Sequence, residues 1–315
     1  MSARIRSFAA AAAGPALLAA LVLLPPLLGR PFHYHLGILV GINALLALSM
    51  QVMLRINQLS LAQAGFMGLG AYASALLTRD IGLPFAAALP LAGLLPALLA
   101  GALGPVLLRV RGVHFVLLTF ALGEVIVLVF VEWVSLFGGN NGLLDIPPAS
   151  LFGTALRAKP AFYALTAATL LAALALCRWV TRGERGMIVA GLAGNEPLLQ
   201  SLGVDALPHR CALFAFSAFL AGLAGSLYAH YFGYISPEAF GFWTAVNALI
   251  MGVLGGVTLL LGPLTGAVLL VPLPELFRDA IAYQRLFYGL ALMALLLFLP
   301  RGLLGVLRTP KGSTP

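Results

Sequence analysis

Long apolar runs separated by short polar breaks set the pattern of this chain, and the pattern changes character only once, near the middle. A helix needs about 20 apolar residues to cross a hydrocarbon core. Such runs cover residues 9–28, 36–54, 64–78, 84–108, 113–137, 161–177, 211–232, 240–261, 263–277 and 284–299, which predicts ten helical spans. Between the sixth and seventh lies a polar island that holds Arg178, Arg182, Glu184, Arg185, Asn195, Glu196, Gln200, Asp205, His209 and Arg210. Unpaired charges at that density do not sit in lipid. The island is also too short for a folded domain, so it reads as a large loop placed against something else. The expectation is an all-α, polytopic membrane helix bundle, one transmembrane domain over residues 1–315, with the loop 178–210 projecting from one face.

Two of the ten spans are short. Residues 64–78 and 263–277 reach roughly 22 Å at helical rise, against a core of roughly 30 Å. Gly65, Gly68 and Gly70 lie in the first, and Gly262, Pro263, Gly266, Pro272 and Pro274 in or beside the second. Both are candidates for broken or re-entrant segments, which a membrane tolerates only where protein buries them. Small residues four apart (Ala64 with Gly68, Ala71 with Ala75, Ala221 with Gly225) permit close helix approach and are read as packing. The first run, after Arg4 and Arg6, looks like a signal peptide. It lacks a small-x-small cleavage site before Arg30 and closes on Pro25-Pro26, so it is read as a retained first span.

Composition agrees with the pattern. The chain is 61% hydrophobic and 9% charged, with a mean hydropathy of +1.03, which excludes a soluble domain of 315 residues. The net charge of +8 forms no patch for nucleic acid; the charges sit at the ends of apolar runs. Of the 18 lysines and arginines, twelve fall on the face that carries the island and both termini, and six on the other. The positive-inside rule then predicts a cytoplasmic island and cytoplasmic termini. Cys177 and Cys211 flank the island with no metal-ligand spacing, and on a cytoplasmic face both stay reduced.

Few groups are candidates for chemistry. Glu124 falls at the midpoint of span 113–137, and an intramembrane carboxylate is a functional-site hypothesis by default. It serves as a proton carrier or solute contact, or else as a structural carboxyl paired with Asn43 or Asn247; spacing leaves both open. Glu132 beside Trp133 reads as an interfacial group. His33 and His35 form an H-x-H in an expected external loop, which is not a metal site without further ligands. His114 and His230 lie near helix ends and need no special role. Neither Lys159 nor Lys311 follows a phosphate-binding loop, so the chain itself binds no nucleotide. In the island, Asn195 suits a helix N-cap, Pro197 its first turn and Gly203 a left-handed stop, with Leu198, Leu199 and Leu202 as a small apolar face. That face fits a groove on a partner protein or the lipid interface equally well.

Five segments carry a family resemblance: Asn57 to Tyr72 (NQLSLAQAGFMGLGAY), Arg111 to Glu124 (RGVHFVLLTFALGE), Gly138 to Leu143 (GGNNGL), Ser217 to Glu238 (SAFLAGLAGSLYAHYFGYISPE) and Pro300 to Leu304 (PRGLL). In this order they resemble the LivM-type permease subunits of branched-chain amino-acid ABC importers, over most of residues 36–305. The resemblance implies a bacterial inner-membrane half-channel paired with a homologous permease. Two ABC ATPase subunits carry ATP and Mg beneath it, and a periplasmic substrate-binding protein feeds it from outside. Glu196 to Gly203 (EPLLQSLG) then corresponds to the coupling helix, which favours protein docking by Glu196, Leu198, Leu199, Leu202 and Gly203. Gln58, Ser60 and Gln63, next to an irregular segment, are candidates for the translocation path, followed by Glu124. The polar run with Asn140, Asn141 and Asp145 is a candidate docking surface for the binding protein.

The chain departs from the family's pattern where Ala190, Ala193 and Gly194 are uncharged, where Gln200 replaces an acidic residue, and where Ala62 replaces a glycine. The coupling surface is therefore less ionic than the family's. Urea or short amides are alternative solutes within the same resemblance. A proton-coupled secondary carrier that uses Glu124 is the rival from another class.

Overall fold

Pro31 pre-sets the first turn of the first described helix, where its missing N–H is no loss. An unbroken apolar run then carries α1 from Pro31 to Leu54. In a computed structural model of the protein, the residues described are 29–151, 154–257 and 259–276, with Gly289 and Met293. The expected spans 9–28 and 284–299, the Pro300 to Leu304 segment and both termini lie outside the described residues. After α1 come α2 (Gln63–Arg79), α3 (Phe85–Leu107), α4 (Val113–Glu132), α5 (Lys159–Val180), α6 (Gly183–Gly194), α7 (Glu196–Ser201), α8 (Ala206–Phe232), α9 (Phe242–Gly255) and α10 (Gly262–Leu270). Among the described residues, six helical stretches are long and apolar enough to cross a membrane: α1, α3, α4, α5, α8, and α9 with the 3-10 turn before it. The fold is thus a polytopic helical bundle, and among the described residues strands are confined to a hairpin of two-residue strands, Ser150–Leu151 against Thr154–Ala155.

The bundle is built around α1 and α8. α8 packs on α2, α3 and α1, while α5, α9 and α10 also pack on α1. The α2–α8 crossing is close because small residues meet there. Gly70 lies against Gly222, and Gly225 against the Met67 carbonyl, with no room for a Cβ at either contact. Gly225 is one of the small residues expected to pack in this way.

Several boundaries differ from the sequence expectation. His33 and His35 belong to the start of α1 and not to an external loop. The span 113–137 is interrupted: α4 stops at Glu132, Trp133 leaves helical geometry (φ −89, ψ 68), and a separate turn, Val134–Phe137, ends on left-handed Gly138. The span 240–261 ends early, at Gly255, because Gly256 turns the chain at φ +103. The span 263–277 contains a helix of only nine residues, α10, before Pro272 interrupts the ladder and a single turn follows at Leu273–Leu276. The island is narrower than 178–210, since α5 runs on to Val180 and α8 starts at Ala206.

The short span 64–78 proves to be preceded by the irregular stretch. Residues 55–62 are not helical, and Asn57 takes a left-handed conformation at φ +55. The stretch enters the bundle: the Leu61 N–H donates to Thr119 Oγ1 on α4 at 3.1 Å, and Ala62 lies beside Gly123, near the middle of that helix. Ile56, Gln58, Ser60 and Ala62 are buried while Asn57 is exposed, so most of the stretch is covered by protein, which is where a membrane tolerates such backbone. A second irregular stretch, between α9 and α10, is stitched by one side chain. Gln51 Nε2 donates to the carbonyls of Gly256 (3.2 Å), Val257 (3.1 Å) and Leu259.

Candidate functional site

The island folds into α6 and α7, and α7 begins as its residues predict. The Asn195 side chain accepts the Leu198 N–H at 3.1 Å, Pro197 occupies the first turn, and Gly203 follows the helix at φ +85. The expected apolar face, however, is divided. Leu199 is buried against Gly191 of α6, whereas Leu198 and Leu202 are 57% and 73% exposed. Gly203 is exposed beside them.

Glu196 is also turned inward, at 8% exposure. Its Oε1 accepts from Arg111 at 2.9 Å, and its Oε2 pairs with Arg210, itself buried. Gln200 adds a long contact to Oε1 at 3.4 Å. A buried carboxylate that holds two arginines is satisfied on both oxygens, as burial of a charge requires. Nothing in the local pattern points to this pairing, because Arg111 lies 85 residues away.

The path candidates of the Asn57 to Tyr72 segment lie where that segment meets α4 and α8. Gln58, Ser60 and Gln63 are all buried. Gln63 Nε2 donates to Ser217 Oγ at 3.2 Å, while Gln58 Oε1, Ser60 Oγ and Gln63 Oε1 have no hydrogen-bond partner among the described residues. The segment is further tied to the island, since Asn57 Nδ2 donates to the Ala193 carbonyl at 2.7 Å.

Glu124 lies apart from this cluster. It is exposed, on the same face of α4 as Leu117, Ala121 and Leu128, and pairs with no described residue. Of the two asparagines expected to pair with it, Asn43 instead donates to the Leu39 carbonyl within α1.

At the opposite end of the bundle, Asn140, Asn141 and Asp145 are exposed on the loop after α4. That loop is fastened by backbone hydrogen bonds between Leu143 and Ile235 (2.9 and 3.1 Å) and from the Ile146 N–H to the Gly233 carbonyl (3.1 Å). His230 has more to do than its place near a helix end indicated. It is 5% exposed, with Nδ1 2.8 Å from the Pro147 carbonyl and Nε2 2.9 Å from Ser74 Oγ, which meets Ser226 Oγ at 2.7 Å. A carbonyl only accepts, so Nδ1 carries the proton and Nε2 accepts from the serine. Cys177 and Cys211 are free thiols. Among the described residues, no group of three or more His, Cys, Asp or Glu side chains is placed to hold a metal.

A family model described as branched-chain amino acid transport system / permease component matches residues 35–299. The chain belongs to this family. It is 31% identical to the high-affinity branched-chain amino acid transport system permease protein LivM of Escherichia coli (strain K12), over 292 residues that cover 85% of this chain and 67% of that protein. Identity to the protein of the same description from Salmonella typhimurium is 32% over the same shares. No solved structure matches the chain. The chain is therefore a multi-pass membrane permease component, and its apolar helices, irregular buried stretch and polar island belong to a transport subunit.

Proposed function

We propose that this permease component forms the translocation path of an ATP-binding cassette importer for branched-chain amino acids, in a bacterial inner membrane with both termini cytoplasmic. It pairs with a homologous permease, is driven by two ATPase subunits that carry ATP and Mg, and is fed by a periplasmic binding protein. The observation that carries this reading is α7: a six-residue helix held rigidly on the island, with Leu198 and Leu202 turned out. Exposed leucines on a clamped helix suit a pocket on a protein partner. Only Leu198, Leu202 and Gly203 then touch the ATPase, while Glu196 and Leu199 hold the helix in place.

The path runs beside residues 58–63, whose unpaired oxygens are available to water or to a passing solute. Glu124 lies near the middle of α4 on an exposed face, and a carboxylate directed at lipid there is expensive. That face is accordingly turned to the path or to the second permease. Asn140, Asn141 and Asp145 receive the binding protein at the outer end.

Affinity isolation through a C-terminal tag, from native membranes in mild detergent, tests the assembly. Recovery of a second permease and ATPase subunits is expected, with ATP hydrolysis stimulated by binding protein loaded with L-leucine. Stimulation by urea or acetamide in place of leucine reassigns the solute. Recovery of the chain alone, moving solute along a proton gradient and inactivated by Glu124→Gln, replaces the importer with a carrier.

A further inference from the structure

We infer that Glu196 is the positioning residue that makes the docking helix, the head of α4 and the head of α8 move as one body. The inference rests on the reading of α7 as the docking surface and adds how movement there reaches the membrane. A helix of six residues has too few internal hydrogen bonds to hold its own orientation. What holds it is the pair of arginines on the two oxygens of Glu196, one inside a membrane helix and one on the turn that leads into another. Arg210 is in the first turns of α8, and Arg111 precedes α4 with only Gly112 between.

Both arms lead to the same place. Thr119 lies eight residues beyond Arg111, and Ser217 seven beyond Arg210, about 12 and 10 Å along their helices. Thr119 accepts from the Leu61 N–H, and Ser217 accepts from Gln63. Those are the polar contacts that α4 and α8 make with the irregular stretch and the start of α2. Asn57, donating to Ala193, is a third tie between that stretch and the island. A displacement of α7 is thus delivered to residues 57–63 from three sides. With Leu199 packed on Gly191, α6 travels with it.

The test uses the complex isolated with its ATPase subunits, from a chain carrying Cys177→Ala and Cys211→Ala. Spin labels are placed at Ser201→Cys on α7 and Val113→Cys at the head of α4, both exposed and neither in the docking contact. Their separation is measured by pulsed dipolar spectroscopy without nucleotide, with ATP and a chelator that prevents hydrolysis, and with ADP trapped by vanadate after hydrolysis. With Glu196 intact the separation stays constant to within about 2 Å, whereas Glu196→Gln or Arg111→Gln lets it shift or spread by about 5 Å on ATP binding, the scale of one helical turn. A wild-type separation that itself changes by about 5 Å, or variants that hold the wild-type distance, would overturn the inference. Should Glu196→Gln fail to fold, Arg111→Gln decides alone, since that side chain is 60% exposed. If no ATPase accompanies the wild-type chain, the docking reading falls and this inference falls with it.

Discussion

The two ends of this bundle are closed by different physics. At the island end the fastening is ionic and long-range: one buried carboxylate holds two arginines, Arg210 within α8 and Arg111 on the turn before α4. At the opposite end it is neutral and dense, with backbone bonds from Leu143 to Ile235 and the His230, Ser74 and Ser226 chain capped by the Pro147 carbonyl. An ionic clamp ties a few points firmly and leaves the surrounding surface free, as an element that must be pushed requires. A neutral network with several short bonds fixes an entire loop, as a platform requires.

The sharpest way to break this contrast is to remove the carboxylate. Glu196→Ala leaves Arg210 buried without its partner and should destabilise the protein by about 3–5 kcal/mol, read as a lowered unfolding midpoint in detergent. A loss under about 1 kcal/mol would mean that the clamp carries little. Next in size is the other end. His230→Ala strands the Pro147 carbonyl and leaves Ser74 with only Ser226, and the expected loss is about 1–3 kcal/mol, with faster hydrogen exchange confined to residues 138–149. Exchange that rises equally at the island would show that the two ends are not independent.

Asn195→Ala should cost about 1 kcal/mol through the lost N-cap, and Asn195→Asp should restore most of it. The smallest effect on stability belongs to Leu202→Ala, within about 0.5 kcal/mol because the side chain is exposed. Its effect belongs on the partner, as weaker retention of the ATPase subunits. Equal retention by wild type and Leu202→Ala would argue against docking through this leucine.

The sequence was most legible where the information is local. Apolar run lengths located the helices, and the short run 64–78 marked the helix that starts inside the bundle. Asn195, Pro197 and Gly203 announced α7 because caps and stops act within a few residues. The orientation of α7 was not legible. Six residues are too few for periodicity to tell which leucine faces in, and the partner that decides is Arg111, far away in sequence. The same holds for His230, whose partners lie on α2 and on a loop. The break at Trp133 escaped because an apolar run continues through it, so hydropathy alone joined two helices. The expected spans at either end of the chain lie outside the described residues and stay expectations.

The central claim is that Leu198 and Leu202 face a protein partner. A photoreactive phenylalanine analogue at Leu202, irradiated in native membranes, tests it most directly. The account predicts one dominant adduct whose second component, by mass spectrometry, is an ATP-binding cassette subunit. Adducts formed with lipid alone, at the same yield as a control label at exposed Leu98 of α3, would contradict it.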